Sequence, residues 1–189
     1  MIVITVSINK GGQAKTTFSV LITQYLLRNP KNVGRVACGD VDPTQMNFKN
    51  TLNDYGIEVP FVNKLEDVPE GIDYVVFDTS ADLIESTPAI VQADILVCPI
   101  EAGKWAVEGL QRVEQVRGKR DMKVILNKCR DSGKHQQLEE DLRKAGYNVI
   151  GKVKYLEQLA NNIDNIDDWH HRLSKDNALA IRDALENIF

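Results

Sequence analysis

Cysteine is scarce in this chain of 189 residues, which contains only Cys38, Cys98 and Cys129, each in or beside an apolar run. This odd, scattered set argues against a disulfide framework and fits a reducing compartment. No run of about 18 apolar residues is present, so no transmembrane helix is expected. The first residues, MIVITVSI, have no basic n-region and lead directly into a glycine motif. They are typical of a first strand and not of a signal peptide.

Excess positive charge is also missing, because 23 Lys and Arg residues are outnumbered by 27 Asp and Glu residues and the net charge is -4. The chain as a whole is therefore not a nucleic-acid polycation, and any contact with nucleic acid must come from a local basic patch. Apolar residues make up 43% of the chain, which excludes a disordered sequence. Since repeats, low-complexity tracts and linkers are absent, we expect one domain over residues 1–189, without a helix-turn-helix domain before it.

Short apolar runs rich in β-branched residues alternate with stretches of helical periodicity. The runs lack strict alternation, which is typical of strands buried on both faces, and they cover residues 2–8, 33–39, 74–77, 95–98, 123–126 and 149–153. Helical periodicity covers residues 16–28, 104–117, 135–145 and 172–188. This order predicts a doubly wound α/β fold, with a mostly parallel sheet and helices on both faces. Residues 44–70 are the least regular and leave room for a short strand at 57–62.

The strongest functional signal is a loop of small and basic residues, namely Asn9, Lys10, Gly11, Gly12, Gln13, Ala14, Lys15, Thr16 and Thr17. It follows a predicted strand and opens a predicted helix, which is the setting of a phosphate-binding loop. Small residues let backbone N–H groups close around phosphate oxygens, and the helix N-terminus adds partial positive charge. Lys15 supplies charge to the β and γ phosphates, and the Thr16 hydroxyl is placed to bind Mg²⁺. The loop departs from G-x-x-x-x-G-K-[ST], because Asn9 and Ala14 occupy the two glycine positions.

The pattern KGG-x-x-KTT resembles the deviant Walker A box of ParA/MinD-type ATPases, which are relatives of the nitrogenase iron protein. The resemblance implies a P-loop NTPase with ATP and Mg²⁺ as ligands, ATP binding by residues 10–17, and slow, partner-stimulated ATP hydrolysis. Lys10 matches the signature lysine that in this family reaches across a dimer to the partner's nucleotide, so a homodimer formed with ATP is expected. The cysteine that the iron protein carries shortly after its Walker B strand has no counterpart in residues 79–92.

Three later segments continue the resemblance in the family's order. The run DVDPTQ is similar to the D-x-D-P-Q segment, which implies that Asp42 orients the attacking water and contacts Mg²⁺ through water, with Asp40 as a supporting charge. The run DYVVFD resembles the Walker B strand, so Asp78 is expected to hold a Mg²⁺-bound water. The run VILNK resembles the strand whose asparagine contacts adenine, which assigns Asn127 to the base. The implied catalytic residues are Lys10, Lys15 and Asp42.

ParA-like proteins bind DNA nonspecifically as ATP dimers, through basic residues in their C-terminal part. The corresponding residues here are Arg117, Lys119, Arg120, Lys152, Lys154, Arg172 and Lys175. Counterion release makes such a patch effective without base contacts, although a solvated surface of mixed charge is an equal alternative for each residue. The resemblance implies a cytoplasmic, nucleoid-associated protein that positions a plasmid or chromosome locus, or a protein body such as the carboxysome, through a ParB-like or McdB-like adaptor.

Two other functions are alternatives to this one. A MinD-like membrane switch needs a basic amphipathic C-terminal helix, but in residues 174–189 Lys175 and Arg182 are outnumbered by Asp176, Asp183 and Glu186. No membrane partner is therefore expected. A metabolic P-loop enzyme, such as a dethiobiotin-synthase-like ligase, would not resemble this chain at Lys10.

Overall fold

The computed structural model describes residues 1–28, 34–41, 46–119, 122–129, 133–154 and 175–189, except for the side chains of Lys104 and Lys175. The strands are β1 (Ile2–Val6), β2 (Val36–Asp40), β3 (Phe61–Val62), β4 (Tyr74–Asp78), β5 (Ile95–Glu101), β6 (Met122–Cys129) and β7 (Asn148–Lys154). They form one sheet in the order β3-β2-β4-β1-β5-β6-β7, and every pair of neighbours is parallel.

Helices cover both faces of this sheet. They are α1 (Lys15–Arg28), α2 (Asn47–Asp54), α3 (Leu83–Gln92), α4 (Lys104–Arg117), α5 (Gly133–Lys144) and α6 (Lys175–Glu186). One core cluster holds the buried apolar side chains of α1, α2 and α6, and a second holds those of α4 and α5 together with Ile90 of α3. Ala89 of α3 belongs to a third, smaller cluster. Along β5, Val97 belongs to the first cluster, whereas Leu96 and Cys98 belong to the second. Because successive strand side chains point to opposite faces, the two clusters lie on opposite faces, which confirms the predicted doubly wound fold.

The neighbouring strands β1 and β4 lead to helices on opposite faces of the sheet, since β1 continues into α1 and β4 into α3. Such a reversal opens a crevice at the carboxyl ends of the two strands, where ligands bind in open α/β sheets. Val6 of β1 lies opposite Asp78 of β4 in the register. The loop that follows β1 therefore begins beside the aspartate assigned to Mg²⁺.

Two helices, α2 and α3, were not predicted from the sequence. α2 has eight residues and buries only Phe48 and Leu52, which is too few for a recognisable period. α3 contains Pro88, a residue that disfavours helix interiors. Its first turn is nevertheless capped by the Asp82 side chain, which accepts from the N–H groups of Ile84 and Glu85. The short strand expected within 57–62 is present only as β3.

The apolar face of α6 is used within the fold. Ile181, Ala184 and Leu185 are buried, and Ala184 packs directly on Gly151 of β7, where an added Cβ would lie 2.5 Å from the Ala184 Cβ. Glycine at position 151 therefore permits the close approach of α6 to the sheet. Among the described residues, no helix combines the length and apolar character needed to cross a bilayer.

Candidate nucleotide-binding site

The loop between β1 and α1 has the backbone of an anion-binding turn. Gly12 and Ala14 adopt positive φ values of 71° and 65°, and Gly11 and Gly12 are exposed at the edge of the sheet. Successive turns of this kind direct backbone N–H groups inward, toward an anion. Lys15, Thr16 and Thr17 follow in the first turn of α1, whose N-terminus adds a partial positive charge. The loop and the first turn of α1 thus place residues 10–17 in one continuous turn at the carboxyl end of β1, and their contact with ATP stays a prediction.

The phosphate loop is joined directly to Asp78 at the end of β4. The Thr16 Oγ1 hydroxyl donates to Asp78 Oδ2 at 2.6 Å, and the Ser19 hydroxyl donates to Asp78 Oδ1 at 3.0 Å. Burial raises the pKa of the Asp78 carboxyl to about 6, although both hydroxyl contacts and the charge of Lys15 act in the opposite direction. The nearby Asp40 carboxylate raises this pKa further. Burial and the neighbouring carboxylate both make the ionised form of Asp78 unfavourable. A bound cation would offset this cost, so the site favours a cationic ligand.

The donor set at this point fits Mg²⁺. The Thr16 hydroxyl and the Asp78 carboxylate are hard oxygen groups, and they lie within hydrogen-bond distance of each other. Mg²⁺ keeps several waters and takes few protein ligands when phosphates complete its coordination. Accordingly, a dedicated cage is not needed, and the described residues contain no cluster of three or more His, Cys, Asp or Glu side chains suited to a metal.

The two lysines of the loop lie beside each other. The Lys15 Nζ donates to the Lys10 carbonyl at 3.3 Å, so the ammonium lies over the loop, where phosphate oxygens would sit. Lys10 itself is half-buried. Asp42, the third residue implied in catalysis, lies outside the described residues. Asp40 is described, and its Oδ2 accepts from the N–H of Phe48 at 3.1 Å, so it stabilises the start of α2 shortly after the Asp42 segment.

The ends of β5 and β6 hold the phosphate loop from the other side. The buried Gln13 side chain accepts from the Glu101 N–H at 2.6 Å. The Asn127 amide donates to the Gln13 carbonyl at 3.4 Å, and the Lys128 Nζ donates to the Gly12 carbonyl at 2.9 Å. Asn127, assigned to the base by resemblance, is therefore a contact of the loop here, and its role toward adenine stays a prediction.

Asn9, which occupies the first glycine position of the motif, links three elements. Its Nδ2 donates to the Ala81 carbonyl at 2.8 Å, in the loop that follows β4. Its Oδ1 accepts from Arg112 Nη1 of α4 at 3.0 Å. Gly109 of α4 packs on its main chain, where an added Cβ would lie 3.0 Å from the Asn9 carbonyl oxygen. The start of the phosphate loop is thus coupled to the loop after Asp78 and to α4.

Arg117 and Lys119, both assigned to DNA, have partners near the C-terminal end of α4. The Arg117 guanidinium donates to the carbonyls of Ile90 and Val91 at 3.1 and 3.0 Å, which satisfies the end of α3. Lys119 forms an ion pair with Glu114 at 3.4 Å. Arg117 is therefore held against the end of α3, whereas Lys119 is paired but stays exposed.

The basic residues of β7 remain on the surface. Lys152 and Lys154 are both exposed, and their spacing of two places them on the same face of the strand. Lys152 forms an ion pair with Glu139 of α5 at 2.6 Å. Arg120 and Arg172 lie outside the described residues, as does the side chain of Lys175.

Sequence reasoning did not assign a role to Glu101, Arg112 or Lys128, or to the side chain of Asn9. Lys128 carried a usable signal, because it directly follows Asn127 at the carboxyl end of a predicted strand. Glu101 and Arg112 carried none, since their contacts depend on which loops lie opposite each other in space.

Comparison with known proteins places this geometry in a family. Residues 4–167 match the family model described as the CobQ/CobB/MinD/ParA nucleotide binding domain, CbiA. No curated protein matches the sequence.

Several solved structures share the fold. A plasmid partition protein of Borrelia burgdorferi, bound to AMPPNP, has 20% identity and a TM-score of 0.72 over 98% of this chain and 97% of that chain. MinD of Aquifex aeolicus, in complex with MinC, has 17% identity and a TM-score of 0.73 over 100% and 95%. Apo McdA of Cyanothece has 16% identity and a TM-score of 0.74 over 98% and 99%. At these identities the likeness shows the fold alone.

The family model covers most of the chain, and the matched region contains the phosphate loop, the Thr16–Asp78 contact and the parallel sheet that joins them. This protein belongs to the CobQ/CobB/MinD/ParA family of nucleotide-binding domains.

Proposed function

We propose that this protein is an ATPase that dimerises with ATP, binds DNA nonspecifically in that state, and positions or segregates a cargo. The observation that carries the ATPase assignment is the 2.6 Å hydrogen bond between Thr16 Oγ1 and Asp78 Oδ2. It joins the phosphate loop to the carboxylate expected to support Mg²⁺, so the two parts of a phosphoryl-transfer site are already adjacent.

In the proposed reaction, a water oxygen attacks the γ-phosphorus in line with the bond to the β,γ-bridging oxygen. That bond breaks, and ADP and inorganic phosphate are the products. Lys15 and the inward N–H groups of the loop offset the charge that spreads over the phosphate oxygens. Asp42 orients the water, and Lys10 acts on the nucleotide of the partner subunit. When bound, Mg²⁺ would be held by Thr16 and, through water, by Asp78 and Asp42, and it would neutralise part of the charge of the phosphates.

The nature of the cargo is drawn from the resemblance and from the similar structures, which include a plasmid partition protein and McdA. We infer a plasmid or chromosome locus, or a protein body such as the carboxysome, reached through a ParB-like or McdB-like adaptor. The protein would act in the cytoplasm, on the nucleoid. For the DNA contact, Lys152 and Lys154 are the candidates that we infer among the described residues, because both are exposed and lie on the same face of β7. Arg117 is less suited, since its guanidinium is held by the carbonyls at the end of α3.

The MinD-like membrane alternative is not favoured by the described part of the chain. The apolar residues Ile181, Ala184 and Leu185 of α6 are buried against the sheet, so this face is not available to lipid without unfolding the helix from β7. The metabolic alternative would show itself as hydrolysis or ligation that depends on a second small substrate.

The first experiment separates binding from hydrolysis. We expect Lys15→Ala to lose ATP binding, because Lys15 acts on the phosphates of the ground state. Asp42→Ala should bind ATP but hydrolyse it roughly 100-fold more slowly, because it removes a group that acts in the transition state. Nucleotide affinity is measured by calorimetry and turnover by phosphate release. Equal affinities for ATP in the two variants would contradict this division of roles.

The second experiment tests DNA binding by fluorescence anisotropy on random duplex DNA. We expect binding with ATP but not with ADP, and a steep loss between about 50 and 200 mM salt. The double variant Lys152→Gln, Lys154→Gln removes two positive charges and should weaken DNA binding without changing the affinity for ATP. Lys64→Gln, near β3, is the control and should bind DNA as the wild type does. Equal weak binding in every nucleotide state would overturn the DNA-binding part of the proposal.

A further inference from the structure

Two successive carbonyls of the phosphate loop, those of Gly12 and Gln13, are held by side chains at the end of β6. Lys128 Nζ donates to the Gly12 carbonyl at 2.9 Å, and Asn127 Nδ2 donates to the Gln13 carbonyl at 3.4 Å. The two donors are consecutive residues, and Asn127 is buried. Two consecutive residues of β6 therefore hold two consecutive carbonyls of the phosphate loop by hydrogen bonds.

The hydrogen bonds to these carbonyls also determine the direction in which two backbone N–H groups point. The Gly12 carbonyl shares a peptide unit with the Gln13 N–H, and the Gln13 carbonyl shares one with the Ala14 N–H. In a trans peptide the carbonyl and the N–H point in opposite directions. Neither N–H donates to another group in the part of the chain that the structure describes. Holding both carbonyls toward β6 therefore aims two donors away from β6, into the interior of the loop.

Lys128 makes this contact from a strained backbone. Its φ is 53°, a conformation that costs a non-glycine residue about 1 kcal/mol and is kept where the surroundings impose it. The ladder between β6 and β7 shifts register between Leu126 and Cys129, so the strand bends where Lys128 turns toward the loop. The Glu101 carboxylate lies 3.4 Å from Lys128 Nζ and helps to align the ammonium with the Gly12 carbonyl.

We propose that Lys128 is a positioning residue of the phosphate loop, which orients the Gln13 N–H toward the polyphosphate and makes no contribution to recognition of the base. The inference rests on the proposed function, because it presumes that ATP is the ligand of this loop. It separates Lys128 from its neighbour Asn127, which is assigned to adenine by resemblance.

The test compares a nucleotide with a base-free ligand. Affinities for ATP, GTP and inorganic tripolyphosphate, each with Mg²⁺, are measured for wild type, Lys128→Met and Lys128→Gly. We expect both variants to lose roughly tenfold in affinity for ATP and for tripolyphosphate, as removal of one charged hydrogen-bond donor would do. The ratio of ATP to GTP affinity should be unchanged. Lys128→Gly accommodates the positive φ but lacks the ammonium, so it isolates the charge from the backbone.

Lys123→Met is the matched control, because it removes the same charge near the opposite end of β6 and should bind all three ligands as wild type does. Wild-type affinity for tripolyphosphate in Lys128→Met would overturn the inference, as would a loss confined to ATP or an equal loss in Lys123→Met. Failure of the wild-type protein to bind ATP is a different result, which would overturn the proposed function and this inference with it.

Discussion

Ala14 lies in the phosphate loop and has a backbone conformation that its Cβ atom disfavours. Its φ of 65° lies in the left-handed region, where a Cβ meets the following carbonyl oxygen. The common phosphate-loop pattern has glycine at this point. Alanine therefore stores strain in the loop, in a conformation that the neighbouring hydrogen bonds to Gln13 and Gly12 keep in place.

We expect Ala14→Gly to raise the free energy of unfolding by about 0.5–1 kcal/mol, because glycine adopts this φ without a steric cost. Ala178→Gly within α6 is the matched control and should lower it by about 1 kcal/mol, since glycine weakens an ordinary helix interior. Urea unfolding of the two variants gives both values. The same sign for both substitutions would contradict the assigned strain.

The ionised carboxylate of Asp78 suits a bound cation but lowers the stability of the ligand-free protein. Burial raises the pKa of its carboxyl from 3.8 to about 6, so between roughly pH 4 and 6 the folded protein holds a proton that the unfolded chain has released. This contribution to stability is present below pH 4 and is lost as the pH rises through 6. Above that pH the ionised carboxylate is a cost that a bound cation would offset.

We therefore expect Asp78→Asn to stabilise the ligand-free protein at pH 7.5 by on the order of 2–3 kcal/mol. The gain should disappear near pH 4, and the variant should lose the Mg²⁺ dependence of ATP binding. Denaturant unfolding at the two pH values measures the effect. Asp54→Asn, which removes an exposed carboxylate from the end of α2, is the control. A gain of equal size at both pH values would show that burial of the charge is not its cause.

At the scale of elements, α4 lies against the start of the phosphate loop. Gly109 allows this approach, since an added Cβ would lie 3.0 Å from the Asn9 carbonyl oxygen and 3.5 Å from Ile8 Cδ1. The same loop residue is held by Arg112 one turn later in α4. The helix and the start of the loop are therefore in direct contact, so a change in the packing of α4 at this point is expected to alter the loop.

We expect Gly109→Ala to weaken ATP binding roughly tenfold, because the new methyl group displaces the Asn9 main chain. The helix itself should not suffer, since alanine is favoured over glycine in a helix interior by about 1 kcal/mol. Gln111→Ala, at an exposed position of α4, controls for helix propensity and should leave ATP affinity unchanged. Calorimetric titration measures the affinities. Unchanged binding by Gly109→Ala would show that the loop tolerates displacement at Asn9.

At the scale of the whole molecule, the proposed dimer depends on Lys10, which resembles the signature lysine of the ParA/MinD-type ATPases. The Lys15 Nζ lies 3.3 Å from the Lys10 carbonyl of the same loop, and Lys15 is expected to act on the phosphates of its own subunit. By the resemblance, the second lysine of the loop, Lys10, is expected to act on the nucleotide of a partner subunit. A dimer would also carry two copies of the basic patch. Once one patch is bound to DNA, the second contact forms within the same complex, which strengthens binding.

We expect ATP with Mg²⁺ to convert the wild-type protein from a monomer or weak dimer into a tight dimer, and Lys10→Ala to bind ATP without this change. Light scattering of both proteins with ATP and with ADP gives the mass in each state. Lys64→Ala, on the exposed surface near β3, should dimerise as wild type does. An unchanged mass of the wild-type protein on addition of ATP would refute the prediction.

Local patterns in the sequence determined the fold class and the phosphate loop. The runs that became β1, β4 and β5 are mostly apolar because their strands are largely buried on both faces, and this property is visible without coordinates. The runs of β6 and β7 are also rich in apolar residues, although they include Lys123 and Lys152. The loop at 9–17 is equally local, since its spacing of small and basic residues reflects contacts made by consecutive backbone groups. Local sequence patterns did not predict α2 and α3. Both lack a clear helical period of apolar residues, α2 depends on the packing of Phe48 and Leu52, and α3 depends on its Asp82 cap.

The tertiary structure alone decided which distant residues complete the site. Thr16 and Asp78 are 62 positions apart, and Gly12 and Lys128 are 116 apart, yet parallel pairing brings the carboxyl ends of their strands to one edge. It also decided that Arg117 belongs to the end of α3 and that the apolar face of α6 belongs to β7. A sequence pattern records the neighbours of a residue along the chain, whereas these contacts follow from strand order and helix position, which the whole fold determines.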